Sequence, residues 1–356
     1  MSAYGRAHYY APNVCQSQLR AVRNLAAETA ALPTVAAGAG ACDSDREVHL
    51  RRSRESRFLT ALVAAKASHG HTVSVCLPAR DEEATVGRVV ETVRRSLVER
   101  LQLVDEIVVM DDSSTDATGD AARAEGAHVF PVAGLMPELP PGSGKGNAMW
   151  KSLYVCQGDL LCWLDADIRN FRAEFVTRLL APLLNDPAVG MVKGFYRRPL
   201  HDDPTGGGRV TELMARPVLS YLFPLLTRFV QPLAGEYAAR RSIIETVPFV
   251  EGWGVDIGLL LDVVHRFGIQ SVTQVNLGVR AHRNRPLDQL GPQALAILAT
   301  ALRRAGLDAC DPPFAAELVR YDENLVPERI PVVLRERPPM ITVPEYCAKF
   351  GREQTA

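Results

Sequence analysis

Three short apolar runs in this chain each stop abruptly at carboxylate-rich loops, and that pattern narrows the fold more than any other feature. Val73-Ser74-Val75-Cys76-Leu77-Pro78 leads into Asp81-Glu82-Glu83, Ile107-Val108-Val109-Met110 into Asp111-Asp112, and Leu160 to Leu164 into Asp165-Ala166-Asp167. Continuous β-branched and aliphatic runs of this length predict strands buried on both faces. Between the first two, Val86, Val89, Val90, Val93 and Leu97 fall at offsets 0, 3, 4, 7 and 11, the apolar face of a helix beginning near Thr85. A second helix is expected through Ala121 and Ala124, a third strand at Val129–Phe130, and a helix over 147–156. The strand–helix alternation predicts an α/β fold with a Rossmann-like, mainly parallel sheet flanked by helices, its ligands outside the carboxyl ends of the strands.

Further helices are expected over 174–184, from about Val210, over 255–267 and over 289–305, with strands at 190–195 and 271–275. The reading divides the chain into a partly helical N-terminal extension (1–70), a Rossmann-like half (71–200), a second half (201–290), and a C-terminal helix followed by a proline-punctuated arm (291–356). The arm is a candidate dimer contact.

Composition excludes several classes of function. The 40 Lys and Arg against 41 Asp and Glu leave a formal charge of −1, so no global field holds nucleic acid or an anionic membrane. Seven cysteines without a C-x-x-C pair indicate neither a zinc knuckle nor a disulfide framework, and reduced cytoplasmic thiols are expected. The longest apolar stretch, Pro217 to Ala234, contains Arg228 and three prolines and reads as a buried helical region rather than a membrane span. The N-terminal MSAYGRAHYYAPNV lacks the basic-then-apolar layout of a signal peptide.

Chemistry therefore has to come from local clusters. Asp165-Ala166-Asp167 at a strand end offers hard oxygen ligands to Mg²⁺ or Mn²⁺ beside a diphosphate, although the same residues can serve as a helix cap. The loop Pro140 to Gly146 lacks the spacing of a phosphate-binding P-loop, yet its glycines and Lys145 at a helix start suit close approach to a phosphate or a base; a surface turn is the plain alternative. Gly206 to Glu212 sets Arg209 and Thr211 beside a glycine run, and Arg280 to Arg285 packs three guanidinium groups and an imidazole after a strand. Two anion sites are suggested, one for a nucleotide diphosphate and one for a small acidic acceptor.

Taken together, VCLPARDEE (Val75 to Glu83), MDDSSTDAT (Met110 to Thr118), Asp165-Ala166-Asp167 and a distal His resemble glycosyltransferases of the GT-A fold. GKGNAMW (Gly144 to Trp150), FYRRPL (Phe195 to Leu200), GGGRVTEL (Gly206 to Leu213), QPLAGEYAAR (Gln231 to Arg240) and VNLGVRAHRNRPLDQLG (Val275 to Gly291) resemble the actinobacterial glucosyl-3-phosphoglycerate synthases. The resemblance covers about residues 72–300. It implies transfer of glucose from UDP-glucose to the 2-hydroxyl of 3-phosphoglycerate with retention of configuration, in a cytoplasmic homodimer. Carried over residue by residue, it implies that Pro78, Ala79, Glu82, Asp112, Lys145 and Asp165 meet the nucleotide sugar. Asp167 and His282 would hold Mg²⁺ or Mn²⁺; Gly208, Arg209, Thr211 and Asn284 would receive the acceptor; and Asp256, Arg280 and Arg285 would serve the reaction itself.

Two departures bear on the donor. The usual Asn-Glu-Glu after the first strand is Asp81-Glu82-Glu83 here, and the expected G-Y-G-V-E is Gly252-Trp253-Gly254-Val255-Asp256, which shortens the carboxylate beside the sugar by one methylene. A mannosyl-3-phosphoglycerate synthase using GDP-mannose is thus the alternative reading, followed by a polyprenyl-phosphate sugar transferase and a catalytically silent nucleotide-sugar sensor. With no carboxylate evident as a covalent nucleophile, a front-face mechanism is expected, in which the leaving phosphate helps to deprotonate the acceptor.

Overall fold

The computed structural model describes residues 45–199, 207–281, 286–307 and 315–352. By contacts the chain divides into two units, Met1–Phe58 and Leu59–Ala356. Of the first, the described part is helical, the beginning of α1 (Asp45–His69). All that follows belongs to the second.

The sheet has seven strands in the order β3-β2-β1-β4-β6-β5-β8. These are β1 (Val73–Ala79), β2 (Glu106–Asp111), β3 (His128–Pro131), β4 (Leu160–Trp163), β5 (Met191–Arg197), β6 (Tyr237–Arg240) and β8 (Val272–Val279). β1, β2, β3 and β4 pair in parallel, as do β5 and β8, whereas β6 runs antiparallel between β4 and β5. The three apolar runs of the sequence are thus central strands, and Val73, Val75, Cys76, Leu77, Val108, Val109, Leu161 and Cys162 have no exposed surface because helices cover both faces. Helix α2 (Val86–Val93) buries Val86, Val89, Val90 and Val93 as its spacing predicts, and it passes into a wider π-turn at Arg94–Arg100 that carries buried Leu97. α3 (Thr118–Ala124), α4 (Gly144–Val155), α5 (Glu174–Asn185), α6 (Arg216–Leu222) and the short α7 (Arg241–Ile244) follow in chain order. After the two-residue strand β7 (Phe249–Val250) come α8 (Val255–Phe267) and α9 (Leu290–Arg304).

The antiparallel β6 was not foreseen, since Tyr237-Ala238-Ala239-Arg240 is short and half small residues. It matters for the site. Because Trp163 of β4 faces Tyr237 of β6, the residues leaving β4 meet the residues entering β6, and Asp165 comes against Gly235. The strand order reverses between β1 and β4, so a crevice opens at their carboxyl ends.

The region read as a C-terminal arm contains an antiparallel hairpin, β9 (Ala315–Tyr321) and β10 (Pro327–Val333), and then a segment packed on the core. β11 (Glu336–Arg337) pairs with β7, and α10 (Pro344–Phe350) buries Tyr346 completely. Tyr346 donates to Glu245 and accepts from Arg241, while the Trp150 indole N–H donates to the Pro338 carbonyl at 2.7 Å. Among the described residues, no helix is long and apolar enough to cross a membrane. The stretch Pro217 to Ala234 is broken into α6, a 3₁₀ turn at Pro224–Arg228 and coil, with Leu219, Phe223, Leu226 and Phe229 in the core.

Candidate active site

A cavity of about 550 Å³ lies at the carboxyl ends of the strands. Its lining contains Pro78, Ala79 and Glu82 from the end of β1, Asp112 from β2, Lys145 from α4, and Asp165 and Asp167 from β4. Gly208, Arg209 and Thr211, Asp256 from α8, and Arg280 from the end of β8 complete the set expected from sequence. His282, Asn284 and Arg285 lie outside the described residues.

Loop geometry explains how α4 presents Lys145. Gly144 holds φ +83°, and a Cβ there would stand 2.9 Å from the Gly252 Cα, so only glycine lets the two loops approach. Its N–H donates to Asp112 Oδ2 at 2.9 Å, which anchors the helix start to the end of β2. Lys145 then extends between two carboxylates, with Nζ 2.9 Å from Asp165 Oδ1 and 3.2 Å from Asp256 Oδ1. Gly235 is the floor beneath this pair: a Cβ there would lie 2.6 Å from both Asp165 Oδ1 and Lys145 Nζ.

Arg280 organises the other side. One Nη2 contacts Asp165 Oδ2 at 2.8 Å and Asp167 Oδ1 at 2.7 Å, while Nε stands 2.8 Å from Glu236 Oε1 in an ion-pair contact that lacks hydrogen-bond alignment. Arg280 is 3% exposed and Glu236 fully buried. Burial by itself would raise the Asp165 pKa, but Lys145 and Arg280 more than reverse it and hold the carboxyl well below the usual range. For Asp167 and Glu236 burial wins over the attraction of Arg280, and both are shifted upward. Burial opposes the charge on Lys145 too, yet Asp165 and Asp256 push its pKa above the ordinary lysine value, so it stays an ammonium. Asp165 is thereby favoured as an anion, whereas burial disfavours the charged form of Asp167, which an added cation beside it would restore.

No group of three or more His, Cys, Asp or Glu side chains with metal-site geometry occurs among the described residues. The donor chemistry nevertheless suits a hard divalent ion, because Arg280 takes Asp167 through Oδ1 and a carboxylate can serve a guanidinium and a cation through different oxygens.

Sequence reasoning gave Glu236 no part in the site and passed over Lys193 and the glycine floor at Gly235. The run QPLAGEY held the signal for two of them, but only the antiparallel entry of β6 carries it to Asp165. Glu251 was also missed. It is fully buried, 2.8 Å from Arg337 Nε of β11 and 3.4 Å from Arg335, and Arg337 also donates to Asn147 of α4 at 3.0 Å. A Cβ on Gly142 would collide with Arg337, Glu251 and Asn147, so the glycine-rich loop closes directly over this cluster.

A mainly parallel sheet with one inserted antiparallel strand, an acidic pair at the β4 end and cations arranged around it defines a glycosyltransferase of the GT-A fold. The family model described as glycosyl transferase family 2 matches residues 74–241. The glucosyl-3-phosphoglycerate synthase of Mycolicibacterium smegmatis is 46% identical over 295 residues, which is 82% of this chain and 95% of that protein. The synthase of Petrotoga mobilis is 40% identical over 320 residues, 86% of this chain and 98% of its own. A crystal structure of the Mycobacterium tuberculosis synthase in complex with Mn²⁺, UDP-glucose and phosphoglyceric acid superposes with a TM-score of 0.72 at 44% identity, covering 79% of this chain and 94% of that one. The chain belongs to the glucosyl-3-phosphoglycerate synthase family.

Proposed function

We propose that this protein transfers glucose from UDP-glucose to the 2-hydroxyl of 3-phosphoglycerate, with retention of configuration, and releases glucosyl-3-phosphoglycerate and UDP. The observation that carries the reading is one cavity that brings Lys145, Asp165, Asp167 and Arg280 together with Gly208, Arg209 and Thr211. The first group suits a nucleotide diphosphate and the second an acidic acceptor. The relatives bearing the synthase name, and the tuberculosis protein captured with UDP-glucose and phosphoglyceric acid, support the same assignment.

Pro78, Ala79, Glu82 and Asp112 form the nucleotide end, and Lys145 adds a fixed positive charge between Asp165 and Asp256. Asp167, with His282, would hold Mg²⁺ or Mn²⁺, which offsets charge on the departing diphosphate. Arg209 and Thr211, with Asn284, would receive phosphoglycerate, and Arg285 would add positive charge near the phosphates, while Arg280 serves the same end through Asp165 and Asp167, the carboxylates it holds. Asp256, which lines the same cavity, would accept hydrogen bonds from the sugar. Glu236, the other carboxylate near the reacting face, is fully buried and engaged by Arg280, which favours a front-face displacement over a covalent glycosyl-enzyme. The synthase name shared by the relatives favours this reading over the polyprenyl-phosphate one, and with the scattered cysteines, none in a C-x-x-C pair, and the family resemblance we infer a cytoplasmic enzyme that works as a homodimer.

Purified protein incubated with Mg²⁺ or Mn²⁺, UDP-glucose or GDP-mannose, and 3-phosphoglycerate tests this directly by nucleotide release and product mass. Product from UDP-glucose alone is the expected result. A preference for GDP-mannose assigns the mannosyl reaction, and silence with every pair overturns the enzymatic reading. A glycosyl adduct trapped on Asp256 or Glu236 would overturn the front-face mechanism.

A further inference from the structure

Among the described residues is a buried cation that neither lines the cavity nor pairs with a carboxylate oxygen. Lys193 of β5 is 1% exposed and faces Tyr237 across the β5–β6 pairing, with Nζ 4.4 Å above the ring. Its ammonium donates to the Ala234 carbonyl at 3.0 Å and reaches the Asp256 carbonyl at 3.5 Å. A core position needing only volume would hold Met or Leu, since lysine is almost never fully buried without a compensating partner. What Lys193 bridges is specific. Ala234 precedes Gly235, the floor beneath Lys145 and Asp165, and Asp256 lies in the first turn of α8 with its carboxylate on Lys145.

We propose that Lys193 is a positioning residue for donor binding, a buried strut that ties the Gly235 floor to the first turn of α8 and so sets the separation of the two carboxylates that hold Lys145. The inference rests on the glucosyl-transfer reading, in which those residues meet UDP-glucose. It also places a cation behind a cluster containing Asp165, Glu236 and Asp256. The groups that face it are Asp256 on α8, Lys145 on α4, Glu236 and Tyr237 at β6, and Asp165 at the end of β4. Burial is the largest influence and pulls its pKa down to about 8, with Asp256 opposing and Lys145 reinforcing the fall. As pH climbs through about 8 the ammonium therefore becomes an amine, and the charge-assisted grip on the two carbonyls weakens. Stability moves the other way. A lysine whose folded pKa lies below its unfolded value makes a contribution that is fully present above the unfolded pKa and is lost as pH falls through the folded one. Weaker donor binding between the two pKa values is thus not a by-product of unfolding by this group.

The test compares wild type, Lys193→Met and Lys193→Arg in steady-state kinetics, UDP calorimetry and thermal melts across about pH 6.5 to 9.5, the range that brackets the transition. In Lys193→Met the KM for UDP-glucose and the Kd for UDP should rise by about tenfold or more, while the KM for 3-phosphoglycerate stays within about twofold. The wild-type donor KM should increase as pH passes about 8, and Lys193→Arg should shift that rise to higher pH because guanidinium stays protonated. A folded Lys193→Met with unchanged donor KM and unchanged UDP affinity overturns the proposal, as does a mere fall in kcat proportional to folded fraction. If Lys193→Met does not fold, an alkaline limb identical in Lys193→Arg and wild type overturns it equally. Wild-type protein that binds UDP but makes no product refutes the reaction and leaves the UDP affinities to decide on Lys193; wild-type protein that binds no UDP refutes both.

Discussion

At the scale of single residues the site depends on a missing side chain as much as on charges. Gly235→Ala would drive a methyl against Asp165 and Lys145, so kcat/KM should fall by about a hundredfold or more, comparable to a 1 Å misplacement of reacting groups, with a smaller stability loss of about 1 to 3 kcal/mol from overpacking. Steady-state kinetics beside a thermal melt check it, and near-normal turnover would show that the pair can shift without loss. Asp167→Ala should abolish metal-stimulated UDP release, and chelation of the wild-type protein should produce the same loss, reversible on adding Mg²⁺ or Mn²⁺. Retention of metal-dependent activity in the variant would remove Asp167 from the metal assignment. The sign of the pH dependence follows from Asp165, whose folded pKa is held below the unfolded value by Lys145 and Arg280 against its burial. Its contribution to stability is present above the unfolded pKa and is lost only as pH falls through the folded one, so ionisation of Asp165 imposes no loss near neutrality.

At the scale of elements, β11 is a clamp on the glycine-rich loop before α4. Arg337 joins the buried Glu251 that follows β7 to Asn147 in the first turn of α4, and Gly142 closes over the contact. Arg337→Met leaves the buried Glu251 with only the half-exposed Arg335 at 3.4 Å, so it should cost up to about 3 to 5 kcal/mol in denaturant unfolding. The double variant with Glu251→Gln should recover part of that loss, and a cycle with no coupling energy would show that the pair is not a unit. Neither partner was legible in the sequence. Arg337 and Asn147 are 190 positions apart, and nothing in Arg335-Glu336-Arg337-Pro338-Pro339 marks one arginine as buried. The helices and parallel strands, by contrast, were legible because spacing of apolar residues is a local property: α2 starts one residue from its expected start, and α8 and α9 lie within a residue of their expected bounds.

At the scale of the whole molecule, the C-terminal segment past the β9–β10 hairpin is part of the core. Met340, Val343 and Tyr346 are within the main hydrophobic cluster, and Tyr346 bonds Glu245 and Arg241. A chain ending after Val333 should lose both that packing and the clamp, lowering the melting temperature by about 5 °C or more or abolishing soluble expression; an unchanged melt would show the segment to be dispensable. The sequence by itself determined the α/β class, the central strands, the acidic pair at the end of β4 and, through motif resemblance, the family. These follow from side-chain periodicity and short motifs, which act within a few residues. Only the tertiary structure decided that β6 enters antiparallel, that Gly235 is the floor beneath Lys145 and Asp165, that Arg280 binds three carboxylates at once, and that Lys193 lies buried behind them. Burial and charge pairing are properties of neighbours in space, and here those neighbours are supplied by strands far apart along the chain.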